Sequence, residues 1–343
     1  MTTKKKKKKV QKVSEVKKLK KGDSLPTIKA IENNVLKCII GQDEAVRRII
    51  TAIYRSIYLK SIKSNILVIG RSGTGKTETL KQIARNLKIP YTVEDATKYT
   101  KEGYYGNDVT DMIENLLFAA NFDLEKASHG MIIIDKIDKK AGHNQGDVVG
   151  VAVLNSLLKI IEGCEFGMID GSTFDTSNLI IVFCGAFSGI ERIKRRETKA
   201  KVIGFNTPTH IEPSTEILGC TKSDLVQYGL PEEFVGRIDT IVEMKALSKD
   251  DLIKILSSSK LSIFKKYQNE LKKLGITITY PRKLFERIAE KAMKTSLGAR
   301  ELSNVVNYIF EEILYNVLSH PGEYQKCKLD IGIVDDNMMY KLS

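Results

Sequence analysis

The sequence predicts an α/β protein, a parallel sheet with helices on both faces, followed by a smaller, mostly helical C-terminal domain. Three observations predict it. Short apolar runs, NILVIG (65–70), MIIID (131–135) and NLIIVFCG (178–185), are continuous rather than alternating, as strands buried on both faces are. Segments of helical period separate them, so each connection crosses over to a parallel neighbour. Beyond about residue 247 the strands give way to helices.

Taken in order, ordered structure is expected from Leu25–Pro26. Residues 43–59 place Ala45, Val46, Ile49, Ile50, Ile53 and Ile57 on one helical face. After the strand at 65–70, a helix runs from Lys76 with Leu80, Ile83, Ala84 and Leu87 inward, punctuated by Pro90. YTVED (91–95) is a short strand, and 108–128 is a helix carrying Met112, Ile113, Leu116, Leu117 and Ala120. VVGVAVLNSLLKIIEG (148–163) is a helix stopped by Gly163. Ser248 and Asp251 form an N-cap pair that opens the C-terminal part. Helices continue to about 319, broken by the alternating strand ITITY (276–280), with Pro281 placed to start the next helix. The domain plan is a Lys-rich tail over 1–24, a large domain over 25–246 and a small domain over 247–343.

The 343 residues are 42% hydrophobic and 28% charged, which suits a globular chain with a core. No apolar run approaches the roughly 20 residues of a membrane helix, and the N-terminal lysines precede no apolar segment, so neither a span nor a secretory signal is expected. A cytoplasmic location follows. Cys38, Cys164, Cys184, Cys220 and Cys327 are scattered, with no C-x-x-C pair to suggest zinc or dithiol chemistry. Of the net charge of +13, residues 1–21 supply +10, from eleven lysines and one glutamate. The tail is therefore expected to be disordered and self-repelling. It could meet nucleic acid or an acidic partner, but no aromatic residues interleave with the lysines to stack on bases.

GRSGTGKT (70–77) satisfies G-x-x-x-x-G-K-[ST] between a buried strand and an amphipathic helix. Gly70, Gly73 and Gly75 let the backbone curl so that its N–H groups face phosphate oxygens, and the helix N-terminus adds its dipole. Lys76 reaches the β- and γ-phosphates and the Thr77 hydroxyl ligates Mg2+. Asp135 closes MIIID where such a site needs its second Mg2+ contact. The next position usually holds a carboxylate that activates water. Here it is Lys136, cationic at neutral pH and unable to accept a proton.

Several segments together resemble the ClpX family of AAA+ unfoldases, within the Hsp100 group, over roughly residues 26–343. CIIGQDEA (38–45) is similar to the family's segment beside adenine, which implies an adenine pocket of Ile39, Ile40 and Gly41. GRSGTGKTET is similar to its Walker A, with Gly70, Arg71, Ser72, Gly73, Thr74, Gly75, Lys76, Thr77 and Glu78 around the nucleotide. GYYG (103–106) resembles its pore loop, which implies that Tyr104 and Tyr105 grip a threaded polypeptide. LNSLLKIIEG (154–163) and FDTSNLIIVFCGAFSGIERI (174–193) match its long central stretch. LVQYGLPEEFVGRI (225–238) resembles its arginine-finger region, so Arg237 would enter a neighbouring subunit's site. SLGARELSNVVN (296–307) resembles its sensor-2 helix, so Arg300 would touch the phosphates of its own. Ile203, Gly204 and Phe205 stand where the family docks onto the ClpP peptidase.

The resemblance implies ATP and Mg2+ as cofactors, a homo-hexamer or mixed ring, unfolded proteins as substrates and a ClpP-type peptidase as partner. A lysine tail stands where the family has a zinc-binding domain, so zinc is not expected. The insert between Gly163 and Phe174 is short, and 139–150, where a second pore loop lies, is compressed. The gravest departure is Lys136 in place of the family's glutamate. It is expected to stay charged and pair with phosphate, giving tight ATP binding with slow hydrolysis. Three functions compete: an unfoldase feeding a peptidase, a non-hydrolysing binding or regulatory subunit, and a nucleic-acid AAA+ protein. The tyrosine loop and the I-G-F tripeptide disfavour the third. The HslU family is disfavoured because no large inserted domain is present.

Overall fold

The computed structural model describes residues 26–58, 64–99, 109–142, 148–167, 171–194, 219–295, 297–335 and 340–343; the predicted lysine tail lies outside them. Helices α1 (Ile28–Leu36) and α2 (Asp43–Tyr58) precede β1 (Ile66–Ile69). There follow α3 (Lys76–Leu87), β2 (Tyr91–Asp95), α4 (Asp111–Ala119), α5 (Leu124–Ser128) and β3 (Met131–Asp135). Helix α6 (Val148–Glu162) leads to a small hairpin, β4 (Glu165–Gly167) and β5 (Thr173–Asp175), and then to β6 (Ile180–Gly185). Two short helices, α7 (Lys222–Tyr228) and α8 (Glu232–Gly236), precede β7 (Thr240–Glu243).

The sheet runs β2-β3-β6-β1-β7 with every pairing parallel. Successive side chains of a strand point to opposite faces, and here both faces are buried. Leu67, Ile69, Ile132, Ile134, Ile181 and Phe183 join one apolar cluster with α4 and α6. Ile66, Val68, Met131, Ile133, Ile180 and Val182 join a second with α2 and α3. That is why the runs in the sequence are unbroken rather than alternating.

A third apolar cluster draws only on residues from Leu247 onward. It is built from α9 (Lys249–Ser257), α10 (Ile263–Lys273), α11 (Leu284–Met293) and α12 (Ala299–Ser319). They pack with a three-stranded sheet of β8 (Thr277–Thr279), β9 (Lys326–Leu329) and β10 (Tyr340–Leu342). Phe264 sits at its centre, its ring 4.8–5.3 Å from those of Phe285, Tyr280 and Phe310. Ser248 and Asp251 cap α9 reciprocally.

The predicted single helix over 108–128 is two helices. Asn121 and Phe122 take left-handed conformations (φ 53° and 59°), the Phe122 N–H closes onto Leu117 O at 2.8 Å, and Asp123 caps α5 by accepting from Lys126 N. Asn and Asp supply turn and cap chemistry that outweighs the helical period. Pro281 does not begin a helix; its carbonyl accepts from Leu284 N, the first residue of α11. Helices α1, α7 and α8 and strands β4, β5, β7, β9 and β10 are additions to the elements expected from sequence.

Candidate functional site

The C-terminal end of β1 opens into the glycine loop. Gly73 and Gly75 have φ of 77° and 94°, where only glycine sits without strain. Helix α3 starts directly afterwards with no side-chain cap, so the N–H groups of its first turn are left for an anion. Thr74 Oγ1 donates to Arg71 O at 2.9 Å and holds the loop closed. Lys76 is 9% exposed, and its amino group donates to Gly70 O at 2.5 Å and Arg71 O at 2.9 Å. Burial pushes the Lys76 pKa down, and nearby groups including Asp135 offset this only in part. A polyanion at the loop would stabilise the buried ammonium. Glu78 lies on the outer side of α3, accepting from Gln82 Nε2 at 2.7 Å.

At the other side of the loop, Thr77 Oγ1 donates to Asp135 Oδ2 at 2.8 Å. A hydroxyl and a carboxylate this close are hard oxygen donors, and they fit Mg2+ completed by phosphate oxygens and water. Among the described residues no group of three or more His, Cys, Asp or Glu gathers to hold a metal by itself.

The strand ends at Asp135, and Lys136 turns into the left-handed region (φ 61°) with its N–H on Asp135 Oδ1 at 2.9 Å. Its ammonium, expected from sequence to meet phosphate, lies 2.5 Å from Asp95 Oδ2. The register explains this: β2 and β3 are parallel neighbours with Asp95 opposite Asp135, so the carboxylate ending β2 stands beside the residue that follows β3. Burial acts to raise the Asp95 pKa, but hydrogen bonds from Lys136 and Thr97 outweigh it and hold the carboxyl at about 2. The Asp95 hydrogen bond in turn raises the Lys136 pKa. Neither group is a base near neutral pH. Asp138 is 1% exposed and accepts from Ala186 N at 3.2 Å, with Lys139 Nζ 3.4 Å from its other oxygen. It faces the end of β6.

Arg300, the second residue of α12, donates to Ser72 Oγ at 2.9 Å, and Ala299 N donates to Gly73 O at 3.1 Å. The C-terminal part therefore sits directly on the glycine loop. Ile39 is buried with α1 and α2, Ile40 is half-buried, and Gly41 (φ 76°) faces the Asp251 carboxylate. Sequence reasoning missed Gln42, which is 2% exposed. Its Nε2 donates to Lys245 O at 2.8 Å and Thr74 O at 3.4 Å, and its Oε1 accepts from Lys245 N at 3.0 Å. The amide thus joins the loop to the segment leading into α9. Its signal was the Gly-Gln pair before α2, which carries no periodic pattern.

Arg237 caps α8 and pairs with Glu162 at 2.5 Å. Its carbonyl accepts from Asn65 Nδ2 at 3.0 Å, at the start of β1. The loop is at the other end of that strand, whose four residues span roughly 13 Å. Arg237 is thereby held apart from its own glycine loop. Tyr104, Tyr105, Ile203, Gly204 and Phe205 lie outside the described residues.

A family model described as an AAA domain of the Cdc48 subfamily matches residues 61–241, and one described as the C-terminal, D2-small domain of ClpB protein matches residues 247–327. Among similar curated proteins, the ATP-dependent Clp protease ATP-binding subunit ClpX of Borrelia duttonii is 32% identical over 86% of this chain and 75% of its own length. ClpX 2 of Wolinella succinogenes is 33% identical over 86% of this chain and 79% of its own. ClpX of Bacteroides fragilis is 31% identical over 88% and 79%.

Proposed function

The chain belongs to the ClpX family of AAA+ proteins, and from that premise we propose that it binds Mg–ATP at residues 70–78 and 135 and acts as a ClpX-like unfoldase subunit whose hydrolysis is weakened at Lys136. Lys76, the N–H groups opening α3 and Arg300 would bind and orient the phosphates. When bound, Mg2+ held by Thr77 and Asp135 would neutralise phosphate charge. Ile39, Ile40 and Gly41 would take the adenine. Arg237 would act on a neighbouring subunit's nucleotide, in a homo-hexamer or a mixed ring. Tyr104 and Tyr105 would grip an unfolded polypeptide. Ile203, Gly204 and Phe205 would dock a ClpP-type peptidase, the division of labour falling between residues 25–246 and 247–343.

The observation that carries the reading is the pair of ion and hydrogen bonds at the end of β3. Thr77 and Asp135 are together, as Mg2+ requires, while Lys136 is bound to Asp95. Among the described residues beside Asp135, Asp95 is tied to Lys136 and Asp138 is buried against Ala186 N and Lys139, and loss of a general base costs about 10²–10⁴-fold in rate. The same observation supports a second reading, a subunit that binds ATP without turning it over and regulates a ring or captures protein.

The test is ATP binding and ATPase activity of the purified chain, alone, with an unfolded protein and with DNA. The proposed function expects nucleotide binding, slow hydrolysis and stimulation by the unfolded protein. Binding with no stimulation by any addition favours the second reading. Stimulation by DNA alone, or absence of ATP binding, overturns both.

A further inference from the structure

The Lys136–Asp95 pair ties together two short segments that also meet at a second point. Asp95 precedes a 3-10 turn over Ala96–Lys98 and caps it, accepting from Thr97 N at 3.0 Å and Thr97 Oγ1 at 2.6 Å. Lys136 precedes a second 3-10 turn, Ile137–Lys140. Their side chains meet at 2.5 Å. At the far ends of the turns, the Lys140 ammonium donates to Tyr99 O at 2.8 Å. Tyr99 is anchored in turn: its hydroxyl donates to Glu94 Oε2 at 2.5 Å, and Glu94 also accepts from Asn115 Nδ2 at 3.1 Å and from the Thr92 hydroxyl.

These groups are deep in the molecule. Lys140 is 9% exposed, Tyr99 1% and Glu94 7%. Burying an ammonium and a carboxylate is costly unless each is bound in place, so a lysine used on a main-chain carbonyl inside an apolar cluster has to contribute something an isoleucine would not. What it contributes here is a connection. The second turn follows directly on Asp135. The first has no covalent link to the nucleotide site except back through β2.

We infer that Lys136–Asp95 and Lys140–Tyr99 form a two-point brace that makes the turns at 96–98 and 137–140 one unit, so that a change at Asp135 reaches both turns together. Lys136, at the position where water activation would call for a carboxylate, serves as a strut. Tyr104 and Tyr105 follow Tyr99 in sequence. The brace rests on the proposed nucleotide site only for its input, and the test separates the two.

Amide hydrogen exchange of the full chain, with and without Mg2+ and a non-hydrolysable ATP analogue, tests it. Lys140→Met keeps the bulk and removes the donor; Asp95→Asn loosens the other tie. Without nucleotide, each variant should speed exchange of residues 96–99 and 137–140 together, by roughly tenfold, the value of a hydrogen bond to a charged group. In the parent, the analogue should slow both segments; in Lys140→Met it should slow 137–140 but leave 96–99 fast. If each variant loosens only one turn, or neither, the brace is overturned. If the turns loosen together but the analogue does not bind the parent, the brace stands and the proposed function falls. Should Lys140→Met fail to fold, Asp95→Asn carries the same comparison at the more exposed tie.

Discussion

Lys136 combines two unfavourable features beside Asp135, the proposed Mg2+ ligand. A side-chain-bearing residue in the left-handed region costs about 1–2 kcal/mol, and φ here is 61°. The position also places a cation where the reaction would want a base. The Asp95 contact offsets part of this. Its depressed pKa means that the pair contributes stability above the ordinary carboxylate range, and that this contribution is lost as pH falls through the folded value of about 2. NMR titration of the Asp95 carboxyl should give that low value in the parent and a clearly higher one in Lys136→Met, where only the Thr97 hydrogen bonds remain; the same value in both would show that the contact does not persist in solution. Lys136 itself was legible in the sequence because MIIID delivers a carboxylate to a glycine loop. Asp95 as its partner was not, because the pairing depends on the register of β2 against β3.

Strands and helices follow the same division between local and long-range information. The boundaries of β1, β3, β6 and α3 were readable from continuous apolar runs and from Gly and Pro at their ends. Strand β7 was not, since four residues, Thr240–Glu243, carry too little periodicity. The docking of α12 on the glycine loop was expected only through the resemblance around Arg300; periodicity does not show it, because it is a meeting of backbones. A Cβ on Gly73 would lie 1.9 Å from Leu297 O, a main-chain atom that cannot swing aside, and φ of 77° disfavours alanine independently. Gly73→Ala should therefore weaken binding of an ATP analogue by at least about tenfold and speed amide exchange at Ala299 and Arg300. Unchanged affinity and exchange would mean that the C-terminal part does not rest on the loop.

For the whole molecule, the informative residue is Arg237. Its backbone is fixed near Asn65, at the opposite end of β1 from the glycine loop, and its guanidinium is half-exposed on Glu162. In the proposed ring, such a group would meet the nucleotide of a neighbouring copy. Sedimentation at saturating Mg–ATP should give a six-subunit species, and Arg237→Ala should shift it toward smaller ones; a parent that stays monomeric would contradict the ring. No assembly was readable from composition or periodicity, and the ring entered only through the resemblance around LPEEFVGRI.

The central claim, that an intact phosphate site has lost its water-activating base, is tested most directly by single-turnover cleavage of labelled ATP bound to the parent chain and to Lys136→Glu. Glutamate at 136 would face Asp95, and like charges raise one carboxyl's pKa toward a useful range. The account predicts that both proteins retain ATP, that the parent cleaves it far more slowly than about 1 s⁻¹, and that Lys136→Glu is faster by about 10²–10⁴-fold. Cleavage by the parent near 1 s⁻¹, with no gain from glutamate, would contradict it.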